Sequence, residues 1–265
     1  MRLWKSWIIA KKDLRIYRKR RSLVVLTFFL PLLIAVALPL ILFHVTSTKS
    51  IPASTVVGLL SSFAFFFMII AAVVPLYITS YNLVGEKLEK SLEPLLATPT
   101  SDSEILVGKY IASFIPVIVA LWTGIFVFYT LIDITTSKYI GYYYFPNTTS
   151  LILIFIGMPL AMLYGISFGT LASSRATSVQ TAYQFGAASL IPFFVLYVLG
   201  EVQVISLSGS TNILIISLGL LIATIGIYFL SRNSFNREKI LTVWQPRTGK
   251  RSERLWLLRK QAFRS

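Results

Sequence analysis

The stretch "VVGLLSSFAFFFMIIAAVVPLYITSY", residues 56–81, contains no Asp, Glu, Lys or Arg. An α-helix rises about 1.5 Å per residue and a hydrocarbon core is about 30 Å thick, so roughly 20 such residues cross a bilayer. Five more uncharged runs accompany it: Leu23–Phe43, Tyr110–Ile132, Leu151–Ala172, Val179–Leu199 and Ile213–Leu230. Each is long enough to span, the last only just. Buried helices of a soluble protein would need a polar exterior, yet charged residues make up only 13% of the 265, against about 25% in a typical soluble domain. The sequence therefore predicts an all-α, polytopic membrane protein with six transmembrane helices. The first apolar run exceeds the 7–15 residues typical of a signal-peptide core, and no small-x-small cleavage site follows it, so it reads as a retained span.

Outward from the spans, charge sets the orientation. With six crossings, residues 1–22, 82–109, 173–178 and the tail share one side, and they hold all but two of the 25 Lys and Arg residues. Only Lys49 and Lys138 fall opposite. Lys and Arg resist translocation, so the rich side, with both termini, is expected in the cytoplasm of a cell-membrane protein. The net charge of +15 is thus topological and lipid-facing, and nucleic acid is not an expected partner.

The domain reading follows: a basic interfacial helix over 1–22, a membrane domain over 23–231, and a basic cytoplasmic tail over 232–265. In the first segment Leu3, Trp7, Ala10, Leu14 and Tyr17 recur at helical spacing amid Lys and Arg. Such a helix lies at the membrane surface, its basic groups on anionic lipid.

Half of the ten acidic residues lie in "GEKLEKSLEPLLATPTSDSEILVGK", residues 85–109: Glu86, Glu89, Glu93, Asp102 and Glu104. Leu88, Leu92, Leu95 and Leu96 form an apolar stripe at i, i+4, i+7 and i+8. Pro94 suits the first turn of a short helix, and Pro99 disfavours its continuation. Ser101 and Glu104 then make a capping box for the third span. An acidic loop between basic segments is repelled by anionic lipid and offers its leucines to a protein. Residues 82–109 are therefore read as a short cytoplasmic helix at an angle and a capped return, with Glu86, Glu89, Leu92, Glu93, Leu95 and Leu96 as docking residues.

Within the spans, the fourth carries small residues every four positions, Gly157, Ala161, Gly165 and Gly169. They form a seam for close helix approach, either inside one subunit or between two. Gln180, Tyr183 and Gln184 form a polar ridge on the fifth span that lines a path or satisfies a neighbouring helix. The spans hold no ionisable carboxylate or amine, which argues against an ion-coupled carrier. The outer segment 133–150 is rich in aromatics, and Asn147-Thr148-Thr149 is a formal glycosylation sequon.

The loop resembles the signature of ABC-2 permeases, membrane subunits of ATP-binding-cassette exporters. The resemblance is carried by Glu86 and Glu89 after the second span, "LEPLLATP" at 92–99, Glu104, and Gly108-Lys109, and more loosely by "FGTLASSRATS" at 168–178. It implies a permease that pairs with a second permease chain, as homo- or heterodimer, and with cytoplasmic ATPase subunits that hold ATP and Mg. The acidic loop would be the coupling helix seated in the ATPase. The chain departs from the family in Pro94 and in residues 200–212, which lack the proline-rich segment of many members.

No catalytic site is expected here. "LVGKY" lacks the first glycine and the Ser/Thr of a phosphate loop. His44 stands alone, and the absence of cysteine removes thiolate metal sites and thiol nucleophiles. No metal or cofactor is expected in this chain. The rival readings are an ATPase-independent channel or secondary carrier, and a membrane scaffold that recruits a cytoplasmic partner.

Overall fold

In a bilayer every backbone N–H and C=O must find its partner internally, and the uncharged runs do so as helices. The computed structural model describes residues 3–48, 52–88, 100–176, 178–202 and 204–234, and within these it is helical with no strand. We label the helices α1 (Leu3–Lys19), α2 (Arg21–Thr48), α3 (Ala53–Leu88) and α4 (Asp102–Ile140). They are followed by α5 (Thr148–Arg175), α6 (Val179–Gly200) and α7 (Ser210–Ser234). All six from α2 to α7 are long and apolar enough to cross a membrane.

Helix α3, which contains the opening stretch, is the centre of the bundle. It packs most extensively on α5, and also on α4 and α6; α1 and α2 lie on α4, and α7 lies on α5. Two thirds of its apolar window (67%) is buried, against 22% for α2, α6 and α7. Those three outer helices expose Phe29, Leu40, Phe194, Val198 and Ile222. An apolar exterior of this extent suits lipid rather than water.

The small-residue seam is the contact between α5 and α3 of the same chain. A Cβ on Gly165 would overlap the Ala72 carbonyl, and one on Gly169 would lie 3.0 Å from the Leu76 carbonyl oxygen. A Cβ on Gly157 would lie 3.2 Å from the Met68 sulfur, and Ala161 is fully buried. Of the two uses the sequence allows, the structure assigns this face to packing within one chain. Just before it, α5 widens into a π-turn at Leu153–Gly157, where the Met158 N–H reaches back to the Leu153 carbonyl. Pro159 lacks the N–H that would continue the ordinary ladder, which accounts for the irregular turn at this point.

At the end opposite α1, the aromatic segment folds back on the bundle. Gly141 closes α4 in the left-handed conformation (φ 87°). The backbone N–H groups of Tyr144 and Phe145 then donate to Asp133 Oδ1 at 2.8 and 3.2 Å. The Tyr144 and Ser61 hydroxyls meet at 2.8 Å, and Phe145 stacks on Tyr129. Asn147 caps α5, accepting from the Ser150 N–H at 2.7 Å while its amide donates to the Tyr144 carbonyl at 3.0 Å. The sequon asparagine is thus engaged at both ends of its side chain.

Candidate functional site

The acidic loop leaves α3 at Leu88 and returns through α4 at Asp102. Residues 89–99, with Glu89, Leu92, Glu93, Leu95 and Leu96, lie outside the described residues. The helix ends on either side of it, through Lys87 and from Thr100, are described.

The return is capped. Ser101 is extended (φ −79°, ψ 154°), its hydroxyl accepts from the Glu104 N–H, and the Glu104 carboxylate accepts from the Ser101 N–H. The distances are 3.3 and 3.1 Å. Two of the donors that a helix start leaves orphaned are thereby satisfied reciprocally, and Asp102 and Glu104 sit at the positive end of the helix dipole.

One turn further on, Gly108 and Lys109 connect α4 to α1. A Cβ on Gly108 would come within 2.7 Å of the Ser6 carbonyl oxygen and 2.9 Å of Ile9, so only glycine lets the two helices approach this closely. Lys109, almost fully buried, donates to Glu86 of α3 and to Asp13 of α1, the latter at 3.4 Å. Lys12 adds a second cation to Glu86 at 3.4 Å. Glu86 was expected to face a docking partner. It is only 8% exposed and turns inward because Lys109 and Lys12 offer it compensation that a buried carboxylate requires. Burial pushes the Asp13 carboxyl above its ordinary value of 3.8, with Lys109 opposing the shift and Glu86 adding to it.

Two further contacts hold the end of α3. Lys87 Nζ donates to the carbonyls of Ser173 and Ser174 at the end of α5, at 2.5 and 3.3 Å. A lysine at a helix C-terminus satisfies carbonyls that lack an intrahelical partner. Arg20, at the break between α1 and α2, bonds the Tyr81 hydroxyl and lies 4.9 Å from the centre of its ring. The last two turns of α3 are thus tied to α1, α4 and α5.

Sequence reasoning missed Asp13 and placed α1 differently. The face of α1 buried in the protein is Ser6, Ile9, Ala10, Asp13 and Tyr17, while Leu3, Trp4, Trp7 and Ile8 are exposed. Ala10 and Tyr17 of the expected apolar stripe therefore serve protein contact, and Leu3 and Trp7 remain outside. One face of α1 therefore packs on protein, where the Ser6 carbonyl and the Ile9 side chain meet Gly108. The signal for Asp13 was its singularity: it is the only acid in the basic segment 1–22.

The polar ridge of α6 is divided. Tyr183 packs on Tyr77 of α3, ring centres 4.4 Å apart, whereas Gln180 and Gln184 are exposed. Among the described residues no group of three His, Cys, Asp or Glu could hold a metal ion.

Among curated proteins none matches the chain. A family model described as ABC-2 family transporter protein matches residues 7–213.

Proposed function

Because the chain belongs to the ABC-2 transporter family, we propose that this multi-pass membrane permease is the transmembrane subunit of an ATP-binding-cassette exporter, driven by a separate ATPase docked on the loop between α3 and α4. In this reading the chain forms the path together with a second permease copy or homologue. Its termini face the cytoplasm, α1 and the tail rest on anionic lipid, and ATP and Mg are bound by the partner.

The observation that carries the proposal is the fastening of both loop ends. A loop that only joined two spans would not need a buried lysine shared between carboxylates of α1 and α3. A loop that transmits force does, because a push on residues 89–99 is useful only if its anchors do not yield. Glu86 then acts through the anchor, while Glu89, Leu92, Glu93, Leu95 and Leu96 supply the docking face. The leucines would fill an apolar groove on the ATPase, and the acidic groups would keep the loop off the lipid surface.

Leu92→Asp and Leu95→Asp test this directly. Both variants are expected to insert at normal levels and to lose co-purification with the nucleotide-binding subunit, together with its permease-dependent ATPase activity. Undiminished recovery of the ATPase with either variant would refute docking through this loop. Flux by the purified chain in liposomes without ATP would instead identify an autonomous channel or carrier.

A further inference from the structure

We propose that the end of the bundle opposite α1 contains a binding site for a neutral amphiphile, with an uncharged, hydroxyl-rich headgroup in a chamber beside α3 and its hydrocarbon chain in a groove between α6 and α7. Two adjoining cavities form the site. The chamber, of about 470 Å³, lies between the start of α3 and the segment joining α6 to α7. The groove, of about 510 Å³, lies between α6 and α7. Ile205 lines both. On α6, Pro192, Phe193 and Leu196 line the groove and Gly200 lines the chamber, so one ridge of the helix runs from one cavity into the other.

The linings differ in the way that the two parts of an amphiphile differ. Hydroxyls of Ser54, Thr55, Ser62, Ser206 and Ser208 border the chamber. Ser62 is more than nine-tenths buried and has no hydrogen-bond partner among the described residues. Its hydroxyl is therefore free to bond a ligand or water in the chamber that it lines. The groove is bordered by aliphatic and aromatic groups, with Asn212 at its chamber end. Asn212 donates to the Ser206 carbonyl at 2.9 Å and fixes the wall between the cavities.

Charge and depth narrow the occupant. Among the described residues that line either cavity, none is Asp, Glu, Lys, Arg or His. A phosphate or ammonium headgroup would find no counter-charge among these residues, and hydroxyls alone do not offset its desolvation penalty. A polyol or glycosyl headgroup matches donors and acceptors that serve as both. From Asn212 to Ala223 the groove extends about 16 Å along α7 by helical rise, close to the half-thickness of a core of about 30 Å. It is therefore one leaflet deep, the reach of an acyl chain.

Two glycines show that the space is open. Gly58 lines the chamber and Gly219 the groove, and a Cβ built on either meets no heavy atom within 4 Å. Larger residues there fill the cavities without disturbing a neighbour, and they favour the helix.

The experiment uses the full chain in phosphatidylcholine nanodiscs, with a monoglucosyl diacylglycerol bearing a diazirine on its acyl chain. Phosphatidylglycerol and phosphatidylcholine with the same diazirine chain serve as comparisons, and labelled peptides are mapped by mass spectrometry. We expect the glycolipid to label α6 and α7 preferentially and to be competed by its unlabelled form. Gly219→Leu should lower that labelling about tenfold, the equivalent of roughly two methylene contacts. Gly58→Leu should abolish the preference for the glycosyl headgroup, and Ser62→Ala, nearly isosteric, should weaken it. Equal labelling by all three lipids would mean annular lipid only and would overturn the proposal. So would undiminished labelling of the plugged variants, or cross-linking of Gly219→Cys to a second copy of the chain. Binding is read without ATP, so its failure leaves the ATPase docking test untouched.

Discussion

At the end of the bundle that carries α1, Lys12, Asp13, Glu86 and Lys109 meet inside the protein. At the opposite end, the described contacts are between hydroxyls, stacked rings and one carboxylate bonded to backbone N–H groups. Both ends join helices that are far apart in sequence, but with different chemistry. Buried ion pairs are intolerant: each group is costly without its partner, so the geometry is held almost all-or-none. Hydroxyl and ring contacts are individually small and yield gradually. The intolerant fastening sits where the acidic loop attaches, and the tolerant one at the far end of the bundle. Stiffness is therefore concentrated at the end proposed to receive force.

The largest break in this contrast comes from Lys109→Met. The substitution leaves Asp13 and Glu86 facing each other without the buried cation between them, the half-exposed Lys12 still beside Glu86. Loss of one partner from a buried ionic cluster is expected to destabilise by about 3–5 kcal/mol, measurable as a lowered midpoint of unfolding in detergent. If any permease survives, it should bind the ATPase yet fail to couple hydrolysis to transport, because α3 and α1 no longer move together. Loss of less than about 1 kcal/mol, the range of exposed pairs, would show that the cluster is not a structural fastening.

Much of the molecule was legible in the sequence, and the reasons are local. The six spans follow from uncharged runs, since composition alone decides whether a helix can lie in lipid. The capping box is written in four consecutive residues, Ser101 to Glu104. The seam of Gly157, Ala161, Gly165 and Gly169 was visible as a pattern, but its partner was not, because nothing in α5 names Ala72 or Leu76. Asp13 illustrates the limit more sharply. Its partner Lys109 lies 96 residues away, and only the crossing of α1 over Gly108 brings the two together. The inward turn of Glu86 has the same origin. Read within its loop it is one acid of five; within the fold it is the counter-ion of a buried lysine.

A smaller effect sharpens the comparison through pH. Because burial holds the Asp13 carboxyl above 3.8, the folded chain binds this proton more tightly than the unfolded chain does. The contribution is fully present below the unfolded value and is lost as pH rises through the folded value. Asp13→Asn removes this dependence. Its stability relative to the unsubstituted chain should thus be lowest in acid and rise with pH across the window just above 3.8, as read from denaturant midpoints. A difference independent of pH would mean that Asp13 is not buried as described.

The smallest change is expected at the tolerant end, from Tyr144→Phe. This removes one hydroxyl and, with it, the 2.8 Å contact to Ser61. Ser61 does not become an orphan, because its hydroxyl also donates to the Val57 carbonyl at 3.0 Å. Tyr144 itself remains anchored through its backbone N–H on Asp133, and its ring stays beside Tyr129. The expected loss is therefore at the low end for a hydrogen bond, about 0.5–1 kcal/mol, with ATPase coupling unchanged. A loss rivalling that of Lys109→Met would erase the distinction between the two ends, since a neutral contact with a redundant acceptor has no physical reason to be as intolerant as a buried charge.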